Sequence, residues 1–148
     1  MDHLFNTIVG RKLRFALVGC GRIAQNHFAA MEQHANNIEL VDVCDINPRA
    51  LSAAVEKTGA AGHSSLTDML KLTTADVVVL TTPSGLHPMQ GIEVAKSGRH
   101  VVSEKPMATK LSDGKAMVKA CDEANVRLFV VKQNRRNATL QLLKKAVD

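Results

Sequence analysis

An apolar segment that runs straight into a glycine-rich turn and then into a helical pattern constrains this chain more than any other feature. Residues 14–18 (RFALV) are typical of a short buried strand, and residues 19–24 (GCGRIA) follow without a break. Residues 23–34 then repeat apolar side chains at helical spacing, with Phe28 and Met31 among them. A strand that ends at glycine and leads into a helix predicts the first half of a βαβ unit in a parallel sheet.

The rest of the chain continues to alternate between short apolar segments and longer helical ones. Further strands are predicted at 38–44, 75–80, 100–103 and 126–131, and further helices at 47–58, 66–72, 86–97, 112–124 and 138–147. Alternation of this kind implies right-handed crossovers with helices on both faces of one sheet. At 148 residues the chain has room for one domain. The pattern predicts a doubly wound α/β domain of the Rossmann type over residues 1–148.

Polar residues mark several helix starts, because their side chains accept hydrogen bonds from the first free N–H groups of a helix. Asn47 followed by Pro48 predicts the start of the second helix, where proline is well accommodated. Ser64 or Ser65 is expected to cap the third helix, and Ser112 the helix that ends near residue 124.

Charge and aromatic content limit the classes of partner. The net charge of +5 and the pI near 9.3 permit a polyanionic partner. Tyr and Trp are absent, however, and single-stranded nucleic acid is bound largely by stacking on such side chains. A phosphate-bearing small molecule is therefore favoured over nucleic acid. No apolar run approaches the ~18 residues of a membrane span, and Met1–His3 lacks the basic and apolar segments of an export signal.

Three widely spaced cysteines carry neither a disulfide pattern nor a metal pattern. Cys20, Cys44 and Cys121 include no C-x-x-C pair, and an odd number cannot all pair within the chain. Reduced thiols of a cytoplasmic protein are the expected state. No histidine stands at metal-ligand spacing from a cysteine or a carboxylate, so no metal site is predicted. His27 and His34, on the first predicted helix, are expected to be packing or surface residues.

The glycine loop has the G-x-G-x-x-A spacing of a dinucleotide site. Gly19 would permit the tight turn, Gly21 would let a pyrophosphate approach the backbone, and Ala24 would let the helix pack closely on the strand. The N–H groups at the helix start, around Arg22 and Ile23, would then face the anion with the helix dipole behind them. Its position directly between a strand and a helix makes this short motif informative.

Asp45 supports the same interpretation from the end of the second predicted strand. It lies 21 residues beyond Ala24, where an acid would hydrogen-bond the adenosine ribose hydroxyls. A 2′-phosphate about 4 Å from that carboxylate would be repelled by roughly 1–4 kcal/mol per charge pair, so NAD is favoured over NADP. Arg49 could soften this preference by pairing with either group. The alternative is that Asp45 only forms an Asx turn before Asn47.

Two further motifs follow later predicted strands, at the sheet edge where ligands of parallel sheets bind. They are residues 81–87 (TTPSGLH) and 103–106 (SEKP). Together with the glycine loop and Asp45, in this order, they resemble the nucleotide-binding half of the Gfo/Idh/MocA oxidoreductase family over nearly the whole chain. Residues 101–137, with EKPMAT and KQNRRN, are similar to its WlbA/WbpB branch of UDP-N-acetylglucosaminuronate 3-dehydrogenases, which act in lipopolysaccharide O-antigen sugar synthesis.

The resemblance implies NAD as cofactor, a sugar nucleotide as substrate, and a role for each matching residue. Lys105 is expected to be the catalytic residue, facing the sugar hydroxyl that is oxidised. The residues implied to contact the cofactor are Gly19, Gly21, Arg22, Ile23, Ala24, Asp45, Ile46, Thr81, Thr82, Pro83, His87, Glu104 and Lys105. Residues 81–83 and His87 are placed on its ribose and nicotinamide side, with Glu104 at the nicotinamide ribose. The residues implied to approach the substrate are Lys105, Asn134 and Arg136.

Lys105 also has a chemical argument of its own. Loss of hydride from a secondary alcohol requires a group that accepts the hydroxyl proton. A lysine amine is a poor base in water, and desolvation or a neighbouring cation makes it a better one. Adjacent Glu104 acts in the opposite direction unless its carboxylate faces the ribose. The alternative is an exposed loop lysine before Pro106, whose peptide bond is a candidate for the cis form.

Members of the family carry a second α/β domain that shapes the sugar pocket and supplies a histidine in a D-x-x-x-H motif. No aspartate of this chain has a histidine four residues on. We expect a shortened product that holds the cofactor domain, binds NAD and oxidises nothing by itself, and we expect the whole enzyme to be a homo-oligomer. Two alternatives remain, a dehydrogenase of another sugar or of inositol, and a non-catalytic NAD-binding regulator. The EKP motif favours a dehydrogenase, because a sensor needs no proton acceptor.

Overall fold

The structure is a computed structural model and describes residues 8–147; Met1–His3, considered above for export, lies outside them. Six parallel strands form one sheet in the order β3-β2-β1-β4-β5-β6. The elements are β1 (Leu13–Val18), α1 (Ala24–Gln33), β2 (Ile38–Cys44), α2 (Pro48–Thr58), β3 (Ala61–His63), α3 (Leu66–Leu72), β4 (Val77–Leu80), α4 (His87–Lys96), β5 (His100–Ser103), α5 (Leu111–Glu123), β6 (Leu128–Val130) and α6 (Ala138–Val147), with a 3-10 turn at Gln133–Arg136. The predicted doubly wound α/β fold is confirmed.

Two of the predicted helix starts are confirmed by their hydrogen bonds. Asn47 precedes α2, and its side-chain oxygen accepts the N–H groups of Arg49 and Ala50 at 3.0 and 3.3 Å. Ser65 precedes α3 and accepts the N–H of Asp68 at 3.3 Å. These starts are predictable because a cap and the groups that it satisfies are neighbours in sequence.

The predicted cap at Ser112 is wrong. Lys110 is the last residue with extended backbone, so α5 begins at Leu111 and the serine lies inside its first turn. The Ser112 hydroxyl donates to the adjacent Asp113 carboxylate at 3.0 Å.

β4 is shorter than predicted, because Asp76 lies before the strand and uses its side chain for polar contacts. The Asp76 carboxylate accepts the Arg14 N–H at 2.9 Å and binds the Arg11 guanidinium at 2.7 Å.

β3 has no counterpart among the predicted strands. Its residues, Ala61-Gly62-His63, include no β-branched side chain, so no local preference marks them as a strand. Pairing with β2 creates the strand, and the side chain of His63 contacts the buried Asp42 carboxylate at 2.7 Å. The Thr73 hydroxyl donates to the other oxygen of Asp42. Residues 61–63 therefore form a strand because of tertiary contacts, since their own sequence does not favour one.

The sheet is buried on both faces, as the apolar strands require. One cluster packs under α1 and α2 and includes Leu17, Val43, Val79, Ala24, Phe28 and Ala54. The other packs under α3, α4 and α5 and includes Val78, Leu80, Val101, Met69, Val94 and Met117. Among the described residues no helix is long and apolar enough to cross a membrane.

The chain leaves the sheet in opposite directions from two neighbouring strands. β1 and β4 pair in parallel, with Leu17 opposite Val79. The connection from β1 runs outward to β2 on one side, whereas the connection from β4 runs to β5 on the other. In doubly wound sheets a ligand crevice opens at such a reversal, beyond the carboxyl ends of the strands. The glycine loop and residues 81–87 leave the sheet at this point.

Candidate cofactor and active site

The glycine loop is wedged between the carboxyl ends of β2 and β4. Gly19 has a φ of +94°, and a Cβ there would lie 2.8 Å from the backbone nitrogen of Thr82. Its own N–H donates to the Cys44 carbonyl at 2.8 Å. Gly21, by contrast, has no heavy atom within 4 Å of the position of a Cβ. The first glycine is therefore demanded by the fold, and the second leaves open space beside the backbone.

The start of α1 presents unused N–H groups to that space. Within residues 8–147, no hydrogen-bond partner is found for the N–H groups of Gly21, Arg22 and Ile23, and no side chain caps the helix. Ala24 is fully buried against the sheet, as the motif predicts. Free N–H groups at a helix start, together with the helix dipole, form an anion site. The geometry is thus suited to a pyrophosphate.

Asp45 holds this loop in place with both of its carboxylate oxygens. Oδ2 accepts the N–H of Cys20 at 2.6 Å, and Oδ1 accepts the N–H of Asn47 at 2.7 Å. The Asx turn that stood as the alternative is therefore present. It does not exclude ribose binding, because each carboxylate oxygen has a second lone pair. Ile46, beside it, is 89% exposed.

Most of the predicted cofactor residues line one cavity of about 260 Å³. It contains Gly19, Gly21, Asp45, Ile46, Thr81, Thr82, Pro83, Leu86 and Gln90. Residues 81–83 therefore share a cavity with Asp45, at the end of the site that the sequence assigns to the adenosine ribose. Thr81 is buried, and its hydroxyl lies 2.6 Å from the Gly19 carbonyl oxygen, so it braces the glycine loop. The cavity is smaller than the ~300–1,000 Å³ of whole small-molecule sites, which suits one half of a dinucleotide.

Glu104 is buried and already has partners. Its Oε1 lies 2.8 Å from Nε2 of His27 on α1, and its Oε2 accepts the N–H of Lys105 at 3.2 Å. The prediction that His27 is only a packing or surface residue is therefore incomplete, since it contacts a candidate site residue. The sequence signal was its position three residues after Ala24, which places both on one face of the helix. The peptide bond between Lys105 and Pro106 is cis, as suspected.

Lys105 belongs to a second, more basic cavity of about 380 Å³. Lys132, Gln133, Asn134 and Arg135 complete its lining. Among the described residues, none of its three cations is paired with a carboxylate. Asn134 thus lies beside Lys105, as the resemblance implies; Arg136 belongs to the 3-10 turn, but its side chain lies outside what is described. Lys132 and Arg135 were not among the predicted site residues, although the KQNRRN run includes both.

His87 lies behind the site loops rather than on their open side. Its side chain is among the most buried in the domain, at 1% exposed. Nε2 lies 2.7 Å from the Thr82 carbonyl oxygen, and Nδ1 lies 2.9 Å from the Pro106 carbonyl oxygen. The ring therefore spans the two loops that carry the site.

A larger cavity, about 560 Å³, runs along α5 from Met107 to Glu123. It includes no residue of the glycine loop and no residue at the β1–β4 reversal. Parallel sheets bind ligands beyond the carboxyl ends of their strands. The cavity that contains Asp45 and the cavity that contains Lys105 are therefore the better candidates for the ligand site, although each is smaller.

Two buried thiols adjoin the glycine loop. Burial raises the pKa of Cys20 to about 12, and the Asp45 carboxylate and Cys44 act in the same direction. Burial likewise raises the pKa of Cys44 to about 11, again with Asp45 contributing. Both thiols are therefore neutral at physiological pH and are poor nucleophiles.

We expect the native thiols of Cys20 and Cys44 to resist alkylation by iodoacetamide at pH 8, whereas the denatured chain reacts readily. Because both pKa values are raised on folding, stability is fully present below the unfolded pKa of about 8.5 and falls as the pH rises towards the folded values. Mass spectrometry of labelled peptides and urea denaturation at increasing pH test this. Native labelling at the rate of free cysteine would contradict it.

The two loop glycines allow a matched test. Gly19→Ala is expected to lower the free energy of unfolding by about 2–4 kcal/mol, from left-handed backbone strain and overpacking against Thr82. Gly21→Ala is expected to leave stability within about 0.5 kcal/mol while weakening NAD binding about tenfold, because its methyl group occupies the space beside the free N–H groups. Urea denaturation and calorimetric NAD titration separate the two effects. A destabilised Gly21→Ala variant would overturn this division.

A strand-ending glycine loop, an acid at the end of the next strand and a crevice at the β1–β4 reversal define a dinucleotide-binding α/β domain. The model of the oxidoreductase family with an NAD-binding Rossmann fold, Gfo/Idh/MocA, matches residues 13–132. The chain belongs to this family, and the sequence resemblance is confirmed.

Solved structures refine the relationship. The WlbA dehydrogenase of Chromobacterium violaceum, in complex with NADH and UDP-GlcNAcA, is 70% identical with a TM-score of 0.92, over 94% of this chain and 40% of that one. The WlbA dehydrogenase of Bordetella pertussis, bound to the same two ligands, is 69% identical with a TM-score of 0.90, over 93% and 42%. A D-apiose dehydrogenase of Paraburkholderia graminis is 30% identical over 95% of this chain and 38% of its own. The chain spans about two fifths of the length of these relatives.

Proposed function

We propose that this chain is the cofactor domain of an NAD-dependent dehydrogenase that oxidises a hydroxyl group of a UDP-linked amino-sugar uronate. The observation that carries the proposal is the placement of Lys105. It follows the carboxyl end of β5 by two residues, and it lines a cavity with two cationic side chains, those of Lys132 and Arg135. The 70% identity to a WlbA dehydrogenase bound to NADH and UDP-GlcNAcA supports the same substrate class.

The residues of the crevice fit NAD. The open space at Gly21 and the free N–H groups beside it suit the pyrophosphate. The Asp45 carboxylate can accept hydrogen bonds from the adenosine ribose, and exposed Ile46 can pack against the adenine. The nicotinamide of bound NAD would accept the hydride. Glu104 and Lys105 are the proposed contacts at the nicotinamide end.

Lys105 is proposed to accept the hydroxyl proton as the alcohol is oxidised. Its side chain is exposed at the cavity, so the amine can reach a bound ligand. The adjacent Glu104 carboxylate is turned away, since it is bound to His27 and to the N–H of Lys105. Glu104 is thus positioned to hold the loop while the amine remains available for proton transfer.

The charge of the second cavity favours an anionic substrate. Lys132 and Arg135 line the cavity of about 380 Å³ beside Lys105, and neither has an ion-pair partner within the described part of the chain. A neutral polyol would leave these charges uncompensated. A diphosphate or a uronate carboxylate would pair with them, and arginine can bind either in a bidentate manner. This favours a sugar nucleotide over inositol or a simple aldose.

Binding by the chain itself is the first test. Calorimetric titration with NAD and NADP is expected to give saturable binding with NAD preferred. A chain that binds neither would overturn the assignment of the crevice. No oxidation of UDP-GlcNAcA is expected from the 148 residues alone, and measurable turnover would contradict the proposal that they form only the cofactor domain.

A chimera tests the activity. This chain would replace the matching 40% of the Chromobacterium violaceum relative, which the 70% identity makes feasible. NADH formation would be followed with UDP-GlcNAcA, UDP-GlcNAc, myo-inositol and D-apiose. Turnover restricted to the UDP-uronate is expected. Preference for a neutral polyol would overturn the substrate class, and NAD binding without turnover of any substrate would favour a regulator.

A further inference from the structure

A single buried side chain connects the two loops that carry the candidate site. His87 is the first residue of α4 and is 1% exposed. Its Nε2 lies 2.7 Å from the carbonyl oxygen of Thr82, which lines the cavity of Asp45. Its Nδ1 lies 2.9 Å from the carbonyl oxygen of Pro106, the residue that follows Lys105. The sequence resemblance had assigned His87 to contact with the cofactor, whereas both ring nitrogens face protein carbonyl groups.

Both contacts are partly buried, and a carbonyl group withdrawn from water is costly to leave without a hydrogen-bond donor. The loop after β4 and the loop after β5 have irregular backbone here, so neither can satisfy these carbonyl groups through a strand ladder. His87 reaches both because its two ring nitrogens lie on opposite sides of the imidazole. Donation to both carbonyl groups requires a proton on each ring nitrogen, which the imidazolium form carries, whereas a neutral ring donates to one of them.

We propose that His87 is a positioning residue, which sets the distance between the cofactor crevice and Lys105 by holding the Thr82 and Pro106 loops together. It acts through the backbone of these loops and contacts neither cofactor nor substrate. This inference rests on the proposed function only in giving Lys105 its role. The bridge itself, by which we mean the contacts of the His87 ring with the Thr82 and Pro106 carbonyl oxygens, is a property of the folded domain. Its importance follows from the sensitivity of proton and hydride transfer to small displacements of the reacting groups.

Two conservative variants dissect the bridge, because each keeps one of its two ends. The amide nitrogen of His87→Asn lies near the position of Nδ1 and can still bond Pro106. That of His87→Gln lies near the position of Nε2 and can still bond Thr82. His87→Phe keeps the ring volume and loses both bonds. His34→Gln is the control, because His34 is an exposed histidine of the opposite helix layer.

Hydrogen exchange followed by mass spectrometry on the full 148-residue chain measures the two loops separately. His87→Phe is expected to raise exchange roughly three- to tenfold in both residues 81–86 and residues 104–107, the effect of one net hydrogen bond on each loop. His87→Asn should raise it only in 81–86, and His87→Gln only in 104–107. His34→Gln should change neither. Calorimetric titration is expected to show weaker NAD binding for His87→Phe and for His87→Asn, with recovery in His87→Gln, which retains Thr82.

Unchanged exchange in both loops of His87→Phe would overturn the proposal. So would equal exchange of both loops in the Asn and Gln variants, since a purely structural defect would affect the loops together. If His87→Phe does not fold, the selective pattern of the Asn and Gln variants still decides the question. A wild-type chain that does not bind NAD would refute the proposed function while the exchange pattern still tests the bridge.

Discussion

Lys105→Met is expected to lower the turnover number of the chimera by about 10²–10⁴-fold, the usual contribution of a positioned proton acceptor. Methionine keeps much of the length and apolar character of the side chain but cannot accept a proton. NAD binding should change little, because the phosphate and ribose contacts lie in the other cavity, with Gly21 and Asp45. NADH formation and calorimetric NAD titration are the two measurements.

Lys105→Arg separates proton transfer from charge. Arginine keeps the positive charge of the basic cavity but does not give up its proton in proteins. We therefore expect this variant to retain its apparent KM for the UDP-uronate while its kcat falls as far as that of Lys105→Met. Lys12→Met, an exposed lysine just before β1, is the control and should behave as wild type. Retained turnover in Lys105→Arg would remove the proton-acceptor role and leave only an electrostatic one.

Asp45→Asn is expected to weaken NAD binding by about 10–100-fold and to narrow the preference for NAD over NADP. The loss corresponds to a hydrogen bond with a charged acceptor, worth about 1.5–3 kcal/mol. Asparagine still supports an Asx turn, so the N–H of Asn47 keeps an acceptor. The 2′-phosphate of NADP is no longer repelled, so NADP should lose less affinity than NAD.

Asp45→Ala provides the second arm of this test. Asparagine has one oxygen and keeps an acceptor for one of the two N–H groups that Asp45 binds, whereas alanine keeps none. The bonds to the Cys20 N–H at 2.6 Å and to the Asn47 N–H at 2.7 Å are then both lost, so the glycine loop itself should loosen. We expect Asp45→Ala to bind NAD more weakly than Asp45→Asn and to unfold at lower urea concentration. Glu56→Gln, an exposed acid on α2, is the control. An unchanged ratio of NAD to NADP affinity in both Asp45 variants would show that the carboxylate only shapes the loop.

The two interpretations of Asp45 show how much of its role could be predicted from the sequence. Ribose binding and an Asx turn stood as alternatives when only spacing was available. The fold makes them compatible, since the turn uses one carboxylate oxygen, the glycine loop uses the other, and lone pairs remain for a ligand. The geometry around the Asp45 side chain therefore allows both roles, which the sequence alone presented as alternatives.

Residues 81–83 and Lys105 illustrate a limit of the resemblance. All of them stood as cofactor contacts, with residues 81–83 placed on its ribose and nicotinamide side. The structure divides them between two cavities, with Thr82 beside Asp45 and Lys105 beside Asn134. The resemblance names which residues contact the cofactor but not how far apart they lie. Their separation into two cavities therefore became visible only in the folded structure.

The sequence by itself determined the alternation of strands and helices, the caps at Asn47 and Ser65, and the glycine loop followed by an acid. These are local signals, in which the interacting groups lie within a few residues or repeat with the period of one element. Tertiary structure alone decided β3, the contact of His27 with Glu104, and the bridge at His87. His27 and Glu104 are separated by 77 residues, and β3 has no preference of its own until β2 pairs with it. Such contacts depend on which strands become neighbours in the sheet. The local sequence around one residue therefore does not indicate a partner that lies far away in the chain.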